Sequence, residues 1–211
     1  MTRFLTTAPI LGLFLIASAS FANEATIKRS YIDLDWGQIH LRTAHPVSAS
    51  DNVPVVCFAP TPYSGNYYKL LMQDLAQDRL VIAPDYPGLG QSDRPNRPLD
   101  IADHADIMAE VLVAAGWGPD GRGPVEACGY HTGTFIATEL AIRHPALIRQ
   151  LVLIGIPFYE GAERTERYEK LGKVRPLPDS LATLEQDWTF AVEKRAKGVS
   201  LERAFENFIE S

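Results

Sequence analysis

The sequence predicts an α/β fold in which a mostly parallel sheet of about six strands is flanked by helices. Short, nearly all-apolar runs alternate along the chain with longer amphipathic runs. Short apolar runs are typical of strands that are buried on both faces, and such strands belong in a parallel sheet covered by helices. The chain has 211 residues, of which 46% are hydrophobic. It is therefore long enough to bury a core of this kind.

The elements are expected in a regular order. Two strands joined at Trp36-Gly37, 26–34 and 38–43, form an antiparallel start to the sheet. The following runs are predicted to be strands at 53–59, 79–83, 125–128 and 150–155, with helices at 66–77, 101–115 and 133–144. The strand–helix alternation predicts parallel pairing after the first two strands.

Residues 1–22 are predicted to be a secretory signal peptide. The apolar run ILGLFLIASA, 10–19, follows a weakly basic start and has the length of a signal-peptide core, but it is short for a membrane span. Small residues at 17–19 and 20–22 offer two cleavage sites. We therefore expect an exported protein, periplasmic or secreted, with no stable membrane anchor after cleavage. An uncleaved anchor is the alternative.

Composition limits the classes of partner. The net charge is −6 and no cluster of basic residues stands out, which argues against nucleic acid. Gly88-Leu89-Gly90 lacks the third glycine of a dinucleotide fingerprint, and no cysteine–histidine group has the spacing of metal ligands. Neither a nucleic acid, nor a metal, nor a cofactor is therefore expected as a partner.

The segment CGYHTG, 128–133, carries the candidate active-site turn. Gly129 and Gly133 flank His131, an apolar strand precedes the turn, and a helix follows it. A turn of the form Gly-x-nucleophile-x-Gly exposes its central side chain above the sheet and directs the N–H groups of the helix at the site. The central residue is expected to be serine, cysteine or aspartate, and here it is histidine.

Two further segments strengthen this interpretation. APDYPGLGQSDRP, 83–95, and FAPTPYSGNYY, 58–68, resemble the segments that follow the fourth and third strands of α/β-hydrolases. The match is closest to the epoxide hydrolase and haloalkane dehalogenase branch, and it covers about residues 27–157. The resemblance implies an α/β-hydrolase-type fold and hydrolysis of a small ester, epoxide or similar substrate, so that a small apolar molecule is the expected substrate or ligand. It also implies an oxyanion hole formed by the backbone N–H groups of Thr61 and Thr132.

The sequence departs from the family pattern in three respects. The His-Gly of the oxyanion loop is replaced by Ala59-Pro60, and proline has a fixed φ and no N–H. His131 occupies the nucleophile position. The family's acid and histidine usually follow strands seven and eight, whereas this sequence ends after six strands and two lid-like helices. We therefore expect a truncated form of a hydrolase. A catalytically inactive small-molecule-binding protein and a non-functional fragment remain alternatives.

Residues 23–157 are thus expected to form the hydrolase core, and 158–211 a helical lid or cap segment. Residues 159–175 are highly charged, and Asp179 is a candidate helix N-cap. Two later runs have apolar residues at helical spacing: Leu181, Leu184, Trp188, Ala191 and Val192, then Leu201, Ala204, Phe205, Phe208 and Ile209.

The resemblance also implies the surroundings of the third, fifth and sixth strands. The third and fifth strands are expected to lie side by side, so Cys57 and Cys128 are expected to be neighbours. Both are predicted to be free thiols, because a bridge between adjacent strands would be strained. The sixth strand has apolar residues on both faces, and without the family's next two strands it is expected to be an edge through which the chain self-associates.

Overall fold

The computed structural model describes residues 25–171, 181–195 and 197–209. The strands are β1 (Ile27–Leu34), β2 (Gly37–Ala44), β3 (Val55–Phe58), β4 (Val81–Pro84), β5 (Val125–Tyr130) and β6 (Ile148–Ile154). The helices are α1 (Lys69–Leu75), α2 (Ile101–Ala114), α3 (Thr132–Arg143), α4 (Gly161–Leu171), α5 (Leu181–Glu193) and α6 (Leu201–Ile209). A 3₁₀ turn, Gly65–Tyr68, leads into α1.

The six strands form one sheet in the order β1-β2-β4-β3-β5-β6. The pairs β1–β2 and β2–β4 are antiparallel, whereas β3 pairs in parallel with both β4 and β5, and β5 pairs in parallel with β6. The predicted fold class, a mostly parallel sheet with an antiparallel start, is confirmed. Because β3, β4 and β5 run in parallel, their carboxyl-terminal ends lie on the same side of the sheet.

Apolar side chains fill both faces of the sheet. In β3, Val56 and Phe58 point into the core beneath α2 and α3, and Val55 and Cys57 point into a second cluster beneath α1. This division follows from the alternation of side chains along a strand. All four residues of β3 are buried, as are all four of β4, which explains why both segments are nearly all apolar.

Helix α2 begins at the predicted position because its first turn is capped. The Asp100 carboxylate accepts a hydrogen bond from the backbone N–H of Asp103 at 2.8 Å, and the Asp103 carboxylate accepts from the Asp100 N–H at 3.0 Å. This reciprocal capping box satisfies two N–H groups that the helix itself leaves without an acceptor. The apolar face of α2 then packs against the sheet and against α3.

The cysteines confirm the expected adjacency of the third and fifth strands. Cys57 and Cys128 are register partners on β3 and β5, and both are buried and free. A hydrogen bond with Cys128, together with burial, raises the pKa of the Cys57 thiol well above its ordinary value. This thiol is therefore neutral at physiological pH.

The C-terminal segment contains one helix that the sequence pattern did not predict. Helix α4 lies within the charged stretch 159–175, and its residues 161–170 are all exposed. Two ion pairs at i,i+4 spacing, Glu163–Arg167 and Glu166–Lys170, run along it, and such pairs support helices locally. The two later helices, α5 and α6, are confirmed. The predicted N-cap at Asp179 and the predicted signal peptide lie outside the described residues.

Strand β6 forms one edge of the described sheet. Its side chains alternate between half-buried and exposed positions, with Val152 and Ile154 on the exposed side. The apolar residues that suggested burial on both faces are thus half-buried on one face and exposed on the other. Within the described ranges, no helix is both long and apolar enough to cross a bilayer.

Candidate active site at the carboxyl end of β5

His131 lies directly after β5 in a strained turn. Its φ is 50° and its ψ is −116°, and among the described non-glycine residues it has the only positive φ. Its backbone N–H donates to the Ile154 carbonyl at 3.1 Å, and its carbonyl accepts from the Thr134 N–H at 2.9 Å and from the Thr134 hydroxyl at 2.7 Å. The backbone is therefore held on both sides while the imidazole is exposed. A non-glycine residue held in such a region costs about 1–3 kcal/mol, and such residues cluster at functional sites.

The two predicted turn glycines, Gly129 and Gly133, have no room for a side chain because neighbouring backbone atoms approach them closely. A Cβ on Gly129 would lie 2.3 Å from the Gly133 carbonyl oxygen, and a Cβ on Gly133 would lie 1.9 Å from the Phe58 carbonyl oxygen. Real Cβ atoms do not approach backbone oxygens this closely. The absence of side chains here thus allows α3 to start directly against β3 and β5, as the turn requires.

The structure brings the three predicted site residues together. A hydrogen bond of 2.6 Å joins the hydroxyls of Thr61 and Thr132, and the Thr132 hydroxyl oxygen lies 3.3 Å from His131 Nδ1. Thr132 is the first residue of α3, so its backbone N–H is among those that have no acceptor within the helix. Thr61 is exposed in the loop after β3, where a Tyr63 N–H to Pro60 carbonyl bond of 2.9 Å closes a turn around it.

Three tyrosines, which we call the tyrosine wall, stand beside this group. The ring of Tyr67 lies 5.4 Å from that of Tyr63 and stacks on that of Tyr130 at 5.9 Å, and the ring of Tyr130 lies 6.4 Å from the imidazole of His131. Burial, followed by the nearby Tyr130 and Tyr63, raises the pKa of Tyr67, so its phenol is neutral. The wall offers an aromatic surface to a ligand at the turn.

Helix α6 is seated beside the tyrosine wall. The guanidinium of Arg203 donates to the carbonyls of Asn66 and Tyr67, the latter at 3.1 Å. Lys69 forms an ion pair with Glu206 at 2.9 Å. The hydrogen bond from Lys69, and then that from Arg203, lowers the pKa of Glu206 below its ordinary value. The predicted lid segment thus contacts the core next to Tyr67.

Asp85, directly after β4, is the centre of a buried polar network. One carboxylate oxygen accepts from Arg42 and from the Gly65 N–H, each at 2.7 Å. The other accepts from His40 at 2.9 Å and from the Gln91 N–H at 3.0 Å. Burial acts to raise the pKa of Asp85, but the hydrogen bond from His40, that from Gln91, the charge of Arg42 and the hydrogen bond from Gly65 together lower it. Because Gly65 continues the loop that carries Thr61, the network also anchors that loop.

His144 and His104, like His40, have partners away from the turn. His144 contacts Asp106 at 2.7 Å, and His104 packs against Tyr86 beside a surface cleft of about 430 Å³ that contains none of the turn residues. Burial lowers the pKa of His104. Within the described residues, no carboxylate and no second imidazole hydrogen-bonds to His131, whose polar side-chain contact is Thr132. These residues also contain no group of three or more side chains suited to a metal ion.

Sequence reasoning identified the turn and the two threonines, but it missed the tyrosine wall and the Asp85 network. The signals were present in the quoted segments. Tyr63 and Tyr67 lie four residues apart after β3, Tyr130 precedes His131, and Asp85 begins the segment DYPGLGQSD. None of these residues could be assigned a partner without the three-dimensional arrangement.

Comparison with known proteins agrees with this geometry. Residues 55–171 match the family model described as alpha/beta hydrolase fold. A 2-hydroxymuconate semialdehyde hydrolase from Pseudomonas sp. (strain CF600) is 35% identical over 126 residues, which is 54% of this chain and 41% of that protein. The chain thus spans about two fifths of the length of this curated relative.

Solved structures show the same fold. Cfl2 from Burkholderia cenocepacia matches with a TM-score of 0.68 and 21% identity, covering 87% of this chain and 65% of that one. The epoxide hydrolase VrEH1 from Vigna radiata matches with a TM-score of 0.66 and 12% identity, covering 87% of this chain and 67% of that one. Because the family model covers more than half of the 211 residues, this chain belongs to the α/β-hydrolase fold family.

Proposed function

We propose that this protein is an exported hydrolase that acts on a small ester, epoxide or similar apolar molecule, with His131 at the nucleophile position. The observation that carries the proposal is the strained turn at His131. Its backbone is held at φ 50° between Ile154 and Thr134, and the imidazole is exposed above the start of α3. Local strain persists where the surrounding structure requires it, and strained residues cluster at active sites, ligand-binding loops and switch regions.

The groups around His131 suit a ligand that is apolar with one polar oxygen. The N–H of Thr132 at the start of α3 and that of Thr61 in the facing loop are the donors expected for such an oxygen. The tyrosine wall supports an apolar or aromatic body beside it. Export rests on the predicted signal peptide, and substrate class rests on family membership.

A second candidate is a catalytically inactive member of the family that binds a small apolar ligand under the lid segment. The observation that favours it is the lack, among the described residues, of a carboxylate or second imidazole bonded to His131. General-base activation of a nucleophile or a water requires such a partner. This second candidate predicts that residues 23–211 hydrolyse a chromogenic ester no faster than the uncatalysed reaction. Robust turnover that disappears in His131→Ala would contradict this expectation.

An acylation experiment separates the two candidates. In His131→Cys a thiol stands at the turn, and in the control His45→Cys it stands at an exposed position outside the site. Both variants are treated with the same activated ester, and the acyl adduct is measured by mass spectrometry. If the hydrolase oxyanion donors are in place, the turn thiol is acylated at least tenfold faster, since one such donor is worth about 10²–10³ in rate. Equal rates would contradict the hydrolase proposal and leave the binding candidate.

We also propose that the chain self-associates through the free edge of β6. Val152 and Ile154 are 45% and 48% exposed on this strand, and an apolar edge strand pairs readily with another chain. Light scattering on residues 23–211 is expected to show a mass above that of the monomer. Val152→Lys is expected to reduce it, whereas Val113→Lys, at an exposed position on α2, is the control. A stable monomer with a cooperative thermal transition would contradict this proposal.

A further inference from the structure

The 3₁₀ turn before α1 carries the central ring of the tyrosine wall, and it is held from two sides. On the side of the core, the Gly65 N–H donates to the buried Asp85 carboxylate at 2.7 Å. On the side of the lid segment, the Arg203 guanidinium of α6 donates to the carbonyls of Asn66 and Tyr67, the latter at 3.1 Å. A guanidinium has only donors and a carbonyl has only acceptors, so the direction of these bonds is fixed. The backbone of Tyr67 is therefore held partly by a contact that the lid segment supplies.

Arg203 is itself fixed by its neighbours on α6. Its backbone N–H donates to Ser200 Oγ at 3.1 Å, and its guanidinium pairs with Glu206 at 2.8 Å. The side chain of Arg203 is 13% exposed, whereas that of Lys69, which also pairs with Glu206, is 41% exposed. Because solvent screens an exposed ion pair, Arg203 provides a stronger link between α6 and the core than Lys69 does.

Helix α5 is joined to α6 by aromatic packing. The ring of Trp188 on α5 lies 5.6 Å from that of Phe205 and 5.3 Å from that of Phe208, both on α6. Tilted aromatic pairs at these distances attract each other beyond the apolar area that they bury. The position of α6 on the core thus sets the position of both helices.

We infer that Arg203 is a positioning residue for Tyr67, through which the seating of α5 and α6 on the core and the binding of a molecule at the tyrosine wall favour each other. Tyr67 lies between Tyr63 and Tyr130, so a shift of its backbone changes both ring contacts and the aromatic surface beside His131. Coupling of this kind is reciprocal, because a ligand that binds better when Tyr67 is held also favours the seated helices. The link from Arg203 to Tyr67 rests on the two carbonyl bonds, whereas the ligand at the wall rests on the proposed function.

Hydrogen exchange followed by mass spectrometry on residues 23–211 tests this link. In Arg203→Met, which removes the guanidinium, we expect exchange to become about tenfold faster both in α6 and in the 3₁₀ turn, and to stay unchanged in α2. Arg203→Lys is expected to resemble Arg203→Met, because an ammonium lacks the planar fork that spans two carbonyls. Arg195→Met is the matched control, since that guanidinium donates to the Val192 carbonyl of its own segment at 2.6 Å. It is expected to leave exchange in the 3₁₀ turn unchanged.

Faster exchange in α6 with unchanged exchange in the 3₁₀ turn would overturn the inference, because it would show that Arg203 stabilises only its own helix. If Arg203→Met also speeds exchange in α2, the milder variant Glu206→Gln provides the same comparison. It keeps the guanidinium of Arg203 but weakens its anchoring. Faster exchange in both α6 and the 3₁₀ turn then supports the inference, and faster exchange in α6 alone contradicts it.

Titration with ethyl benzoate tests the ligand separately. In the wild type we expect the ester to slow exchange in the 3₁₀ turn and in α6 together, and Arg203→Met to weaken its binding about fivefold or more. If Arg203→Met speeds exchange in the turn but the ester slows neither segment, the positioning of Tyr67 stands and the proposed ligand is wrong. If the ester slows exchange in the turn alone and binds Arg203→Met as tightly as the wild type, the proposed ligand stands and the inference is wrong.

Discussion

Two polar residues directly follow two strands of the same sheet, and they differ in burial and in the number of their hydrogen bonds. Asp85 follows β4, is fully buried, and accepts four hydrogen bonds from side chains and backbone. His131 follows β5, is exposed, and has one long side-chain contact and a strained backbone. Both lie at the carboxyl ends of the strands, where ligands bind in open parallel sheets.

The difference indicates a division of tasks between stability and function. The Asp85 carboxylate accepts hydrogen bonds that stabilise its negative charge. Because the donors come from β2, the Thr61 loop and the loop after β4, Asp85 holds these three segments together. At His131 the surroundings fix the backbone but leave the imidazole open to solvent. A group that is open and strained adds little to folding, and it is available to a ligand.

The largest loss in the free energy of unfolding is expected on substitution of Asp85. The substitution Asp85→Asn removes the charge that faces buried Arg42 and places an amide against N–H groups that need an acceptor. Breaking a buried ion pair from one side costs about 3–5 kcal/mol. Urea unfolding is expected to show a loss of this size. The control Asp103→Asn removes a solvent-screened partner of Arg97 and weakens the helix cap, and it is expected to lose much less stability than Asp85→Asn. Equal losses in the two variants would contradict the account of Asp85.

Asp85 also predicts a dependence of stability on pH. Its pKa is lower in the folded protein than in the unfolded chain, so the ionised group stabilises the fold above the unfolded pKa of about 4. This contribution is lost as the pH falls below about 4 towards the folded pKa. We expect the unfolding free energy of the wild type to decline in this range more steeply than that of Asp85→Asn. Parallel acid limbs in the two proteins would show that Asp85 is not the group responsible.

Substitution of a turn glycine is expected to cause the next largest loss in the free energy of unfolding. In Gly133→Ala the new Cβ would lie 1.9 Å from a backbone oxygen, so α3 or β3 must move. Overpacking costs about 1–3 kcal/mol and more where backbone must shift, so we expect a loss of at least about 3 kcal/mol. Gly123→Ala is the control, because that Cβ meets nothing within 4 Å and only the positive φ of 91° opposes it. A Gly133→Ala protein as stable as Gly123→Ala would argue against the tight turn.

The sequence predicts those parts of the fold that are marked by patterns of residues close together in the chain. Buried parallel strands are nearly all apolar, and the turn glycines flank His131 in a fixed pattern, so both were found. Helix α4 was missed because local ion pairs such as Glu163–Arg167, and not apolar periodicity, mark it. The tyrosine wall joins two segments that are far apart in sequence. The burial of Asp85 depends on partners from β2 and two loops, and a charged residue in a loop segment gives no sign of them.

The smallest expected effect tests the central claim most directly, namely that the fold holds His131 in a strained position for a function other than stability. In His131→Gly the φ of 50° is no longer strained. Relief of about 1–3 kcal/mol outweighs the backbone entropy cost of glycine, about 0.5–1 kcal/mol, so we expect a net stabilisation of about 1 kcal/mol. His131→Ala, which removes the imidazole and keeps the strain, is expected to be within about 0.5 kcal/mol of the wild type. Urea unfolding of the two variants and the wild type gives the comparison. A His131→Gly protein that is less stable than His131→Ala would contradict the account, because it would show that the backbone at this position is not strained.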